Sequence, residues 1–306
     1  MSNSRTLFID SSELLDDPIE LRARAMREGY LFFRGLLPKA DVLHVRADEL
    51  AVIEQHGWRQ PKQDALGGLI DVDALNQVPE SAMRTDIGVS SEAYCDVQKL
   101  ASMHRLPHHP RLVALYRTLF ESEVLVHPRH IARMITPHQC MTPAPPHQDF
   151  PLIQGTRDTW TAWIPLGDYP RECGPLTVCR QSHQLGVIPF VHTSGAGGIA
   201  AQLCPDEQDW VEGDFLTGDV LTFPSLTVHR ALKSHHKNQI RLSLDVRYQS
   251  LAEEVEEKSL LPHCDLSWEQ IYDGWSSDDL KYYWRRLPLN LSPWDDTIVQ
   301  PKRRIC

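Results

Sequence analysis

The chain has 306 residues, 42% hydrophobic and 24% charged, which is the composition of a globular protein with a sizeable core rather than a disordered one. Its 31 basic against 41 acidic residues give a net charge of −10, and no basic block is long enough to follow a phosphate backbone, so nucleic acid is not an expected partner. No apolar run approaches the roughly 18 residues of a membrane span, and Met1 to Asp10 lacks the basic-then-apolar pattern of a signal peptide; the expectation is a cytoplasmic protein without a membrane partner.

In chain order, Ile19 to Arg27 carries apolar residues at helical spacing, and Gly29 stands as a C-cap before the strand-like Tyr30-Leu31-Phe32-Phe33. Pro38 opens a second helical pattern through Val42, Val45, Leu50 and Ile53. Pro61 to Arg84, with Gly67-Gly68 and several acidic residues, reads as a surface loop near a site entrance. Helical stretches return at Glu92 to His104 and Pro110 to Phe120. From Val124 the period changes to short β-type runs broken by Pro, Gly and Asp, the pattern of a sandwich or barrel. These runs are Val124 to Val126, Arg129 to Ile135, Trp160 to Leu166, Leu176 to Val178, Val220 to Phe223, Val228 to Leu232 and Ile240 to Tyr248. After Glu253 the chain is helix-like, irregular and rich in aromatics, among them Trp268, Tyr272, Trp275 and Trp284. The expected organisation is one domain, with a helical part over 1–122, a β core over 123–250 and a C-terminal extension over 251–306. Seven cysteines without a C-x-x-C pair predict reduced packing residues rather than a zinc ribbon or a disulfide framework.

The stretch Pro145-Pro146-His147-Gln148-Asp149-Phe150 offers an imidazole and a carboxylate two residues apart. In an extended strand, side chains at i and i+2 share a face, so both can reach one metal ion. A third ligand, His229, ends the alternating run that follows Asp219, and Arg241 lies in the next such run. Two histidines and one carboxylate with open coordination positions suit non-heme Fe(II) doing oxygen chemistry. A His-x-Asp triplet alone is a weak signal, and the chain holds a second, His263-Cys264-Asp265. That one follows Pro262, lies outside any strand-like run and has no histidine downstream, so it is not read as a metal site.

Together with Thr159 to Asp168, with Gly174-Pro175-Leu176-Thr177-Val178 running to Ser182-His183, and with Gly218 to His229 followed by Arg241 to Tyr248, these motifs resemble the phytanoyl-CoA dioxygenase family of Fe(II)/2-oxoglutarate oxygenases. The resemblance covers roughly Glu20 to Gln249; Gln181 stands where a glycine is usual. It implies a mainly β fold, a double-stranded β-helix of jelly-roll or cupin type, with flanking helices on the N-terminal side and a helical C-terminal extension. It implies His147, Asp149 and His229 as metal ligands, and Fe(II), the co-substrate 2-oxoglutarate and O2 as the reacting groups. The distal carboxylate of 2-oxoglutarate needs a planar guanidinium, for which Arg241 is the candidate and Arg247 and Arg230 the competitors. Many family members have a serine two residues after the distal histidine, where this chain has Ala231, so Ser243, on the face of Arg241, becomes the expected helper. Trp163 is expected to face the barrel interior near the co-substrate, with a plain core role as the alternative. His183 is expected to be structural, His235 and His236 solvated, and His138 and Cys140 are candidate substrate contacts.

The implied activity is hydroxylation of an unactivated C–H bond of a small organic molecule, with release of succinate and CO2. The same chemistry turned to desaturation, epimerisation or ring formation is the alternative. Asp149 at the carboxylate position favours oxygenation over halogenation. A metal-binding β-barrel without turnover is a third reading, against which a dicarboxylate clamp at Arg241 argues. The glycine-rich Phe190 to Gln202 reads either as a disordered connector or as a lid that closes over substrate. Neither the substrate nor the oligomeric state is readable from the residues.

Overall fold

The strand Arg241–Ser250 shows how the molecule is built, because its two faces have opposite chemistry. Leu242, Leu244, Val246 and Tyr248 are fully buried in the main core, while Arg241, Ser243, Asp245, Arg247 and Gln249 occupy the other face, as the period of two requires. The apolar face packs on the N-terminal helices: the Tyr248 ring stacks on Tyr116 at 3.9 Å, and the Tyr116 hydroxyl meets Thr222 at 2.6 Å. The polar face is therefore turned inward, toward a second sheet.

The computed structural model describes residues 6–304. Its larger sheet runs in the order Leu31–Phe33, Val220–Pro224, Trp160–Pro165, Arg241–Ser250 and Val124–Val126, and Ile131–Ile135 also pairs with Arg241–Ser250. The smaller sheet runs Thr6–Leu7, Trp210–Glu212, Leu176–Cys179 and His229–Ala231. Except for the parallel Thr6–Leu7 pairing, these ladders are antiparallel. The two facing sheets make a double-stranded β-helix of cupin type. An aromatic layer of Trp163, Phe215, Phe32 and Tyr30 packs between the sheets, and Trp163 also borders a cavity there.

The helices follow their sequence signals closely. Pro18–Glu28 starts on the Asp17 side chain, which accepts from Glu20 N, and stops at Gly29 with φ 73°. A Cβ on Gly29 would lie 2.2 Å from His183 Nδ1, so only glycine lets the two segments meet. The helices Lys39–Gln55 and Pro110–Phe120 match their expected ranges, whereas Glu92 to His104 is divided into Ser91–Gln98 and Ala101–Arg105. Among the described residues the C-terminal extension contains only short helical turns, at Glu257–Leu260, Trp268–Ile271 and Tyr283–Arg286, plus a parallel pairing of Glu254–Glu256 with Asn290–Ser292. Its aromatics, Trp268, Tyr272 and Trp284, cover Leu125.

Two expectations need correction. Phe190 to Gln202 is not a disordered connector but a β-hairpin, Phe190–His192 paired with Ile199–Ala201. Of the cysteines, Cys95, Cys140, Cys173, Cys179 and Cys264 are free thiols as expected, but Cys204 is disulfide-bonded; Cys306 lies outside the described residues. No helix among those residues is long and apolar enough to cross a membrane.

Candidate active site

The sequence expectation of His147 and Asp149 on one strand face is replaced by a bend. His147 sits in a two-residue bridge to His229, with backbone bonds of 2.9 Å in both directions. Asp149 has helical φ −71° and ψ −33° and opens the short helix Phe150–Ile153. Pro145, Pro146 and Pro151 deprive the surrounding backbone of ladder donors, so the strand cannot continue. The ligand pair is instead pinned by the residue between its members. Gln148 donates to the carbonyls of Gly186 and Leu226 at 2.8 and 2.6 Å and accepts from Ile188 N at 2.8 Å.

The result brings His147, Asp149 and His229 together as the one group of His, Cys, Asp or Glu among the described residues whose ligand atoms lie within 4.8 Å of one another. His147 Nδ1 donates to Pro145 O at 2.7 Å and His229 Nδ1 to Thr227 O at 3.1 Å. Each carbonyl fixes the tautomer and leaves Nε2 as the free ligand atom. These Nε2 atoms lie 4.0 and 3.8 Å from Asp149 Oδ1, while Oδ2 accepts from the Thr161 hydroxyl at 2.7 Å. Burial, reinforced by the neighbouring His229, pushes His147 down to about 3, and burial likewise lowers His229. For Asp149 burial acts in the opposite direction, but Arg247 and the two imidazoles outweigh it and hold the carboxyl well below its ordinary range. Neutral imidazoles and an ionised carboxylate form the donor set that a divalent cation requires, so the residues fit an Fe(II) ion.

Arg241 opens onto the same cavity as the triad. It is buried; its Nη1 donates to Ser243 Oγ at 3.3 Å, its Nε has no protein partner, and its guanidinium lies 5.6 Å from the Trp163 ring centre. Burial lowers its pKa to about 10, so the group remains cationic at neutral pH. A buried guanidinium without a counter-charge is costly to maintain and fits a site that receives an anion. The competitors are elsewhere. Arg247 faces Asp149 Oδ1 at 3.7 Å, and Arg230 alternates outward from His229 onto the Trp210 ring at 3.8 Å.

Trp163 lines the cavity and packs edge-on against Phe215 at 4.6 Å. Ser243 is buried beneath Arg241. His183 is structural, its Nε2 donating to Met26 O at 3.0 Å, and His235 and His236 are exposed. His138 bonds Cys140 and Val78 O and lines a cavity neighbouring the site. His263 bonds the Tyr94 hydroxyl at 2.8 Å and joins no metal cluster among the described residues.

A charged wall escaped the sequence analysis. Arg133 donates through Nε to Asp245 Oδ2 at 2.7 Å and through Nη1 to the Asp86 carbonyl, and Asp86 is clamped by Arg84 at 3.0 and 2.6 Å. Arg133, Asp245 and Asp86 all line the cavity. Only the strand register, which sets Ser243 against Arg133, brings Arg133 beside Asp245; no spacing signal in the chain announces it. The triad cavity is small, about 40 Å³. The tip of the Phe190–Ala201 hairpin closes one side: Ala196 lines the cavity, and a Cβ on Gly197 would lie 3.7 Å from His147 Nε2.

A facial two-histidine, one-carboxylate group inside a double-stranded β-helix, beside a buried guanidinium, defines the non-heme metal oxygenase class. Residues 26–241 match the phytanoyl-CoA dioxygenase (PhyH) family. The chain is 24% identical over 262 residues to 1-deoxypentalenic acid 11-beta-hydroxylase of Streptomyces exfoliatus, covering 81% of this chain and 87% of that one. The corresponding Streptomyces arenae enzyme is 25% identical over 268 residues, with the same coverage. Among solved structures, the epimerase SnoN in complex with Fe3+, alpha ketoglutarate and nogalamycin RO is similar in fold. Its TM-score is 0.55 and its identity 22%, over 78% of this chain and 86% of that one. The chain belongs to the phytanoyl-CoA dioxygenase family and is an Fe(II)/2-oxoglutarate-dependent oxidoreductase.

Proposed function

We propose that His147, Asp149 and His229 hold the Fe(II), that Arg241 fixes the distal carboxylate of 2-oxoglutarate with Ser243 beneath it and Trp163 alongside, and that the enzyme hydroxylates a small organic molecule. The observation that carries this reading is the buried Arg241 guanidinium, which lines the cavity of the triad and has a hydroxyl rather than a carboxylate as its side-chain partner. Iron with 2-oxoglutarate and O2 supplies the oxidising power for C–H cleavage, leaving succinate and CO2. The chain's own task is placement and exclusion of water. Trp163, Phe223 and Leu176 give the cavity apolar walls, which strengthen the Arg241–carboxylate attraction, and Thr161 and Arg247 hold the Asp149 carboxylate in place.

Hydroxylation is supported by the two hydroxylase relatives. Epimerisation is the second reading, favoured by the likeness to SnoN; the class of substrate suggested by both is a natural-product scaffold. We read helices, β core and extension as one oxygenase domain working in the cytoplasm. The test replaces His147, Asp149 or His229 by alanine. Each variant is expected to lose stoichiometric Fe(II) binding and 2-oxoglutarate-dependent succinate release. Full iron content and turnover in His147→Ala would overturn the assignment.

A further inference from the structure

Beside the triad cavity lies a second one of about 360 Å³, and the two share Ile135, Thr142, Ala231 and Arg241. It is bounded by the loop Ile135 to Pro143 and by the connection from His229–Ala231 in the smaller sheet to Arg241–Ser250 in the larger one. Its charged lining is of one sign: Lys233, Lys237 and Arg241, accompanied by His138 and His236, with no Asp or Glu. The chain as a whole carries −10, so an all-cationic cavity runs against the average surface. Among the described residues the lysines in ion pairs are Lys99 and Lys281; Lys233 and Lys237 have no ionic partner there. The carboxylates that line the triad cavity near Arg133 are already paired, Asp245 with Arg133 and Asp86 with Arg84, so unpaired positive charge is concentrated in the second cavity.

Resting on the 2-oxoglutarate reading above, we propose that this second cavity is the entry path of the dianionic co-substrate, with Lys233 and Lys237 steering it to Arg241. A concave surface of one sign raises the local concentration of an opposite charge and its association rate, by about ten to a thousandfold in strong cases. The two lysines are exposed, so their influence is long-range and screened by salt. Arg241 is buried and makes the short-range contact. This separates the two roles kinetically: the lysines set the rate of arrival, and Arg241 sets the lifetime of the complex.

The experiment mixes anaerobic Fe(II)-loaded protein with 2-oxoglutarate in a stopped-flow instrument and follows the visible charge-transfer band. It compares the wild type, Lys233→Glu/Lys237→Glu, the neutral Lys233→Gln/Lys237→Gln, and Lys281→Glu as a control for net charge. At about 20 mM ionic strength the double reversal is expected to slow association roughly tenfold and the neutral pair less, with dissociation and the control unchanged. At about 0.5 M the difference should shrink below about twofold, because the screening length then falls to a few ångströms. An unchanged association rate, or a loss that salt does not relieve, overturns the inference. So does an effect confined to turnover of the organic substrate, which would assign the lysines to that molecule. A wild type that binds no 2-oxoglutarate would overturn the proposed function, and this inference with it.

Discussion

Arg241 and Arg247 are six residues apart on one strand face, yet the structure gives them different work. Arg247 spends its charge on Asp149 Oδ1 at 3.7 Å; Arg241 has only the Ser243 hydroxyl. Removing one partner of a buried, hydrogen-bonded charge pair costs about 2 to 5 kcal/mol, and each 1.4 kcal/mol is a factor of about ten. Arg241→Ala should therefore raise the 2-oxoglutarate concentration needed for half-maximal succinate release by well over tenfold, with Fe(II) affinity in the absence of co-substrate unchanged. An unaltered requirement would move the anchor to Arg247. Arg230 does not line the triad cavity; its guanidinium lies 3.8 Å from the Trp210 ring centre.

At the scale of elements, the hairpin Phe190–His192 with Ile199–Ala201 is the candidate lid. A Cβ built on its tip residue Gly197 would lie 3.5 Å from the His147 ring, and Ala196 lines the triad cavity. Gly197, with φ 83°, permits both the backbone conformation and the close approach. The C-terminal segment holds the hairpin from outside: Lys302 N donates to Phe190 O at 3.2 Å, and Arg304 bonds Gln202 O at 3.1 Å and Glu207 at 2.8 and 2.6 Å. Closure that depends on contacts with substrate should appear as slower hydrogen exchange across Phe190 to Gln202 when iron, 2-oxoglutarate and a turnover-competent substrate are all present. Iron and 2-oxoglutarate alone should protect it much less. Equal exchange in the two complexes would transfer the lid role to Pro61–Arg84, which is irregular apart from short elements such as the helical turn Val72–Leu75.

For the whole molecule, the joint between helices, barrel and C-terminal extension is built on histidines. His104 lies 5.2 Å from both His130 and Trp275 and donates to Gln98 O, and His127 donates to Gln249. Burial pushes His104 and His108 down to about 4 and His127 to about 3. The unfolded chain takes up these protons near pH 6.5, whereas the folded protein refuses them until about pH 4. Stability contributed by the neutral rings is therefore full above about pH 6.5 and is lost as pH falls toward the folded values. The slope is up to about 1.4 kcal/mol per pH unit for each fully buried ring. Thermal melting should show a steep decline between pH 6.5 and 4, and His104→Gln, which keeps a donor but cannot be protonated, should flatten it. An identical slope in that variant would show that the ring does not control the acid transition.

The sequence alone determined the pieces whose cause is local. Pro18, Gly29 and Pro110 punctuate helices because their backbone preferences act wherever they stand. The alternation in Arg241–Ser250 fixes two chemically distinct faces because a strand has a period of two. The ligand types were legible for the same reason: the chemistry of an imidazole or a carboxylate does not depend on the fold. Tertiary structure decided what depends on register and on distant partners. It bends the chain between His147 and Asp149, because the flanking prolines withhold ladder bonds and His147 pairs with His229 instead. It separates Arg241 from Arg247 by what each strand residue faces, assembles the Arg133–Asp245–Asp86 wall from segments far apart in the chain, and folds the glycine-rich stretch into a hairpin beside the candidate triad. A contact between residues a hundred positions apart is set by which strands pair and in which register, and that is a property of the assembled sheets rather than of any stretch within them.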